Sequence, residues 1–242
     1  MNTTHETPAP ALPETFHPGA PTLQAIVRHT LADHVAEKVT EAIICGDIAE
    51  GSMIGEVRLS AQLGVSRVPV REALVELAHD GIVSFDKRGR AWVKHFTKHD
   101  YEEVISLRLT LESMSARLAA QRLTADDVAA MSANIAAMQE TTDAIAFSRL
   151  DMEFHDLIMR AARHERLLAC WDTLRSQFTV LLARVQKTFE QASIEAARAA
   201  TTNDHQAILG ALKAGDASKA EHAMQRHINS WREWEPTLVA VE

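Results

Sequence analysis

Gly64-Val65-Ser66-Arg67-Val68-Pro69-Val70-Arg71-Glu72-Ala73-Leu74 is the stretch that decides how the N-terminal third is read. Gly64 supplies a turn residue and Ser66 is a favoured helix N-cap. Pro69 falls in the first helical turn, where a missing N–H costs nothing. The helix begun there is expected to run to about His79 and to end at Gly81. Arg67 and Arg71 stand four residues apart, so both project from one face of it.

Upstream, Leu31 to Cys45 has helical periodicity, with Leu31, Val35, Val39, Ala42 and Ile43 on one face and Asp33, Glu37, Lys38 and Glu41 on the other. Gly46 follows as its C′ residue. A second helix is expected from Glu56 to Leu63. Downstream, Ile82 to Asp86 and Ala91 to Phe96 alternate as short strands joined by Lys87-Arg88-Gly89-Arg90. Helix, turn, N-capped helix and basic hairpin, in that order, describe a winged helix-turn-helix. Such a module presents Ser66, Arg67 and Arg71 to base edges and phosphates in the major groove of double-stranded DNA. Arginine suits the task because its planar fork engages guanine or phosphate bidentately. Arg88, Gly89 and Arg90 form a tip that can enter a neighbouring minor groove, with Gly89 allowing close backbone approach.

The chain has 242 residues, 46% of them hydrophobic, 24% charged and only 5% aromatic, which favours closely packed helices over a large sheet. Its net charge of −8 argues against DNA binding until it is divided by region. Gly55 to Lys98 carries eight basic against five acidic residues, whereas Asp100 to Glu242 carries 15 against 21. A basic module is therefore attached to an acidic one. No stretch approaches the roughly 20 apolar residues of a membrane span, and the N-terminus has no secretory pattern. Cys45 and Cys170 lie far apart without metal spacing, as expected of a reduced, cytoplasmic protein. Five of the seven prolines fall within the first 21 residues, so residues 1–22 read as a disordered arm. Residues 23–98 read as the winged helix, and 99–242 as an all-α antiparallel bundle of six or seven helices.

Within that bundle, helices are expected at Tyr101–Gln121, from Thr124 onward, and at about 142–162, 166–187, 194–214 and 217–234. Asp151 and His155 are i and i+4, about 40° apart on one helix. His205 and His227 sit on two later helices. A carboxylate and three imidazoles make a sensible shell for a divalent transition metal, with positions left open for water or ligand. Any one of the 12 histidines, taken alone, would read as a surface or core residue.

The run Gly64 to Leu74, with Leu77, Gly81-Ile82-Val83, the upstream Ala42 to Gly46 and Glu56-x-x-Leu59-Ser60, resembles the signature of GntR-superfamily regulators. Leu150 to Ile158, Asp204 to Leu209, Met224 to Ile228 and Ala211 to Ala217 are similar to the all-helical effector domain of the FadR subfamily, the FCD type. The resemblance implies that Ser66, Arg67, Arg71, Arg88, Gly89 and Arg90 contact operator DNA. It implies that Asp151, His155, His205 and His227 hold a metal, zinc first, with nickel or manganese as alternatives. It also places Arg108 beside a small carboxylic-acid effector, with a surface ion pair to Glu112 as the competing reading. A homodimer is implied as well. Two departures stand out: Val57 occupies a place where many members carry Arg, with Arg58 one step away, and Arg163-His164 replaces a frequent Gly-Asn at a helix end. The second departure predicts a different local turn and leaves His164 outside the ligand set.

The function expected is a ligand-responsive repressor of a catabolic operon, with no catalytic residue. Two rivals are a metal-dependent hydrolase built on the Asp/His site and a regulator whose metal is purely structural.

Overall fold

A computed structural model describes residues 30–187 and 191–230, and the arm expected over residues 1–22 lies outside them. The chain enters helix α1 (Leu31–Cys45) through a capping box, in which Thr30 and Asp33 each bond the other's backbone N–H. It leaves at Gly46, whose φ of 86° is the left-handed cap that a side chain would resist. Strand β1 (Met53–Ile54), helix α2 (Glu56–Leu63), helix α3 (Arg67–His79) and strands β2 (Val83–Phe85) and β3 (Ala91–Val93) complete the first module. β3 lies between β1 and β2 and is antiparallel to both, with Ile54 opposite Ala91 and Val83 opposite Val93. Val35, Val39, Val70, Leu74, Leu77, Ile82 and Val93 fill the space between helices and sheet.

Both hairpin strands are shorter than their alternation suggested, and β1 was not anticipated. Two residues are too few to show a period, and β1 exists only because β3 offers it an edge. Ser66 occupies the N-cap position of α3 with extended backbone, as expected, yet its side chain makes no capping hydrogen bond. The exposed hydroxyl is left to other partners.

Helix α4 (Lys98–Arg122) starts three residues before the expected point, because Thr97 and Asp100 form a second capping box. Tyr101, Val104 and Ile105 on its first turns share the apolar core with the winged helix. Helices α5 (Ala125–Glu140), α6 (Ala144–Ala161), α7 (Glu165–Lys187), α8 (Gln191–Lys213) and α9 (Ala217–Ser230) follow. α4 packs against α6, α7, α8 and α9, so it forms the spine of the bundle, and α7 also reaches α1 of the first module. Among the described residues, no helix is long and apolar enough to cross a membrane.

The turn between α6 and α7 corrects one expectation. Arg163 does not reshape it; its φ is 49°, so the arginine adopts the left-handed conformation that glycine would supply. The surroundings hold it there. Its guanidinium reaches both Asp127 oxygens at 3.0 and 2.8 Å, and Arg122 donates to the carbonyls of Ala162 and Arg163. His164 then caps α7 by accepting from the Leu167 N–H at 3.1 Å. A β-branched residue tolerates this backbone worst and asparagine well. Arg163→Val is expected to lower stability by about 1–3 kcal/mol, and Arg163→Asn by less than about 1 kcal/mol. Urea midpoints check this, and equal losses would remove the backbone argument.

Candidate metal centre and nucleic-acid interface

Three helices bring the Asp/His set together. Asp151 and His155 project from α6, His205 from α8 and His227 from α9, and all four are at most 1% exposed. Their ligand atoms lie within 4.8 Å of one another. His227 Nε2 is 3.3 Å from both His155 Nε2 and His205 Nε2. Asp151 Oδ1 is 3.3 Å from His205 Nε2 and 3.9 Å from His155 Nε2. Ligands about 2.0–2.1 Å from one ion stand roughly 3.0–3.4 Å apart in octahedral or tetrahedral arrangement. The spacing therefore fits a single divalent ion.

The far side of each ring says which nitrogen has the free lone pair. His227 Nδ1 is 3.3 Å from Asp204 Oδ2, and His155 Nδ1 faces the Glu112 carboxylate. A ring that donates from Nδ1 to such an acid offers the Nε2 lone pair on its other side. Two such lone pairs facing each other across 3.3 Å repel on their own and attract a cation. His205 is oriented differently, by Phe154 stacked on it with ring centroids 4.0 Å apart. Burial pushes the His155 imidazole well below the usual value, and nearby Arg108 adds to the effect. Burial likewise lowers His205, to about 4. Burial alone would raise Asp151, but His205, His155 and Arg108 outweigh it and hold the carboxyl well below the usual range. Asp151 is thus held as an anion and His155 and His205 as neutral imidazoles, the protonation states that ligation requires.

Sequence reasoning missed what stands behind this set. Arg108 and Glu112 are each 1% exposed, so their pairing is not on the surface. Arg108 Nε donates to Glu112 Oε1 while Glu112 Oε2 faces His155. Burial pushes the Glu112 carboxyl up against the opposing pull of Arg108. The guanidinium donates to one oxygen of that acid, and the other oxygen is turned toward the His155 ring. Arg108 also lies over the ring of Phe178, 3.5 Å from its centroid. Its two terminal nitrogens, buried, have no hydrogen-bond partner. The i,i+4 spacing of Arg108 and Glu112 was visible in the sequence; their burial was not. Asp204 stood beside His205, but nothing local tied it to His227.

On the first module, Arg67 and Arg71 both reach Glu56, at 3.0 and 3.6 Å, and remain about two-thirds exposed. Glu56 therefore gathers the two guanidinium groups on one side of α3. Val57 and Arg58 are both exposed on α2. Arg88, Gly89 and Arg90 form the exposed hairpin tip, with Gly89 at φ 72°. Asp86 organises that tip by accepting from the Arg88 and Arg90 N–H groups, each at 2.9 Å, and from Arg90 Nε at 2.7 Å. The Arg90 backbone bond is the main cause that lowers the Asp86 carboxyl to about 2.

Comparison with known proteins agrees with this geometry. Residues 31–93 match the family described as bacterial regulatory proteins, gntR family, and residues 103–230 match the FCD domain. The chain is 30% identical over 212 residues to a probable D-xylose utilization operon transcriptional repressor of Paenarthrobacter nicotinovorans, covering 87% of this chain and 91% of the relative. It is 30% identical over 190 residues to the gluconate operon transcriptional repressor of Bacillus licheniformis, covering 75% of each. Among solved structures, E. coli McbR/YncC has the same fold, with a TM-score of 0.74 at 22% identity over 86% of this chain and 98% of that one. These matched domains and relatives are transcriptional regulators, so the hydrolase reading is set aside.

The depressed imidazoles set a pH dependence for chelator-treated protein. An unfolded histidine takes up a proton near pH 6.5, whereas folded His205 stays neutral to about 4. Below 6.5 the unfolded chain binds more protons, so stability falls as pH falls, by up to about 1.4 kcal/mol per pH unit for each such histidine. Urea unfolding between pH 7.5 and 5 is expected to show this slope, and His205→Gln to make it shallower. A flat profile in the parent protein would contradict the burial argument.

Proposed function

This chain belongs to the gntR family of bacterial regulatory proteins, FCD-domain type, and from that membership we propose that it is a homodimeric repressor of a catabolic operon, released from its operator when a small carboxylate binds the helical domain. One observation carries the ligand reading. Arg108 is fully charged and buried, and two of its nitrogens have no hydrogen-bond partner. A buried guanidinium with two nitrogens left open is costly unless an anion completes it, and a carboxylate fits its fork bidentately.

Asp151, His155, His205 and His227 would hold a divalent ion, with zinc first and nickel or manganese as alternatives. When bound, the ion supplies positive charge and open coordination positions for the same carboxylate. Glu112 does the positioning: it fixes Arg108 with one oxygen and orients His155 with the other. A gluconate operon repressor among the relatives supports sugar acids as the first compounds to try. The winged helix over residues 23–98 would read DNA through Ser66, Arg67 and Arg71 in the major groove and Arg88, Gly89 and Arg90 at the wing tip. The helical domain over 99–242 would pair two copies. The exposed Leu107 with half-buried Leu111, Met114 and Leu118, one stripe of α4, supports that pairing. Such a protein acts where the DNA is, in the cytoplasm.

The reading is tested on an operator selected from a random duplex library. Arg71→Ala is expected to weaken binding by about 1–3 kcal/mol and to relax specificity at one position. Arg90→Ala is expected to weaken all sequences more evenly. Titrating a panel of sugar acids and hydroxy acids into metal-loaded protein should find one that weakens operator binding by about 5- to 150-fold. Linkage requires that saturating operator weaken that acid's binding by the same factor. A purely structural metal would leave DNA affinity unchanged by every acid in the panel.

A further inference from the structure

Helix α7 is engaged on two opposite sides by the two halves of the molecule. Ser176 Oγ donates to Asp80 Oδ2 at 2.8 Å, and Asp80 is the C-cap of α3, the helix that carries Arg67 and Arg71. The next residue, Gln177, lies against Gly81, where a Cβ would stand 2.7 Å from its Nε2. Gly81 has a φ of 73° and leads directly into β2, so it joins the two DNA-reading elements. The residue after that, Phe178, is 2% exposed and lies under the Arg108 guanidinium. Residues two apart on a helix point about 200° apart. Ser176 and Phe178 therefore face away from each other.

We propose that Ser176-Gln177-Phe178 is the mechanical link between the carboxylate-receiving Arg108 and the end of the DNA-reading helix. The proposal rests on the reading of Arg108 given above. A carboxylate that pairs with Arg108 neutralises the charge held against the Phe178 ring and so alters a contact within a close-packed core. Phe178 is buried, and in a close-packed core such a change moves α7 as a rod. On its other side, Ser176 transmits the shift through a hydrogen bond to the α3 cap. Gln177 transmits it by contact with bare backbone at Gly81. Sequence reading could not find the link, because Asp80 and Ser176 are 96 residues apart.

A second route exists along α4, which carries Arg108 and whose first turns share the winged-helix core. The test separates the two routes without needing the natural effector. Amide exchange over residues 78–85 is measured by mass spectrometry on the full chain, loaded with zinc. Phe178→Leu is expected to speed exchange there by about threefold or more. With Ser176→Ala and Gln177→Ala already in place, the same Phe178→Leu substitution is expected to have almost no further effect. If Phe178→Leu fails to fold, Phe178→Tyr takes its place. Zinc content, read alongside, is expected to stay unchanged in the Ser176→Ala, Gln177→Ala protein. D-gluconate added to zinc-loaded protein forms a separate arm: protection over residues 104–112 without change at 78–85 would preserve the Arg108 reading and overturn the link. Phe178→Leu acting equally with and without the α7 pair would overturn it in favour of α4.

Discussion

Arg108 and Glu112 pair where water does not reach, and the helical half of the molecule is arranged around that pair. One Glu112 oxygen takes Arg108 Nε and the other faces His155 Nδ1, so a single carboxylate ties an arginine of α4 to an imidazole of α6. Removing charge from water costs several kcal/mol per ion unless partners are close and well placed. The pair is therefore poor evidence of stability and better evidence of a site. Its geometry leaves one face of the guanidinium on Phe178 and its two outer nitrogens unpaired. It also turns His155 Nε2 toward His227 and Asp151. Both features suit the same kind of guest, an anion beside a cation.

The winged helix uses acids in a related way, at the surface. Glu56 gathers Arg67 and Arg71, and Asp86 fixes the backbone and the side chain of Arg90. Exposed pairs of this sort contribute little to stability, but they hold long side chains near one geometry. The overall charge of −8 is compatible with DNA binding because Gly55 to Lys98, which holds these arginines, carries eight basic against five acidic residues.

Much of this was legible because it is written locally. Gly46 and Gly64 end their helices in the left-handed conformation, as their positions suggested. Thr124 caps α5 with Asp127 at the third position. Asp151, His155, His205 and His227 were found through helical spacing and family resemblance, and they do converge. What stayed hidden depended on contacts between distant segments. The i,i+4 pair Arg108–Glu112 looks the same on a surface as in a core, and only the packing of α4 against four helices buries it. Arg163 keeps a glycine-type turn because Asp127 and Arg122, far away in the chain, hold it. β1 needed β3 before it could be a strand at all.

The central claim is that Asp151, His155, His205 and His227 form a ligand set rather than a cluster of core histidines. X-ray absorption at the zinc edge, on full-length protein reconstituted with one equivalent of zinc, tests it most directly. The account predicts a first shell at about 2.0–2.2 Å with imidazole scattering from three rings, the remaining ligands oxygen, and no sulfur. A shell of solvent oxygens alone, or one containing a cysteine sulfur at about 2.3 Å, would contradict it.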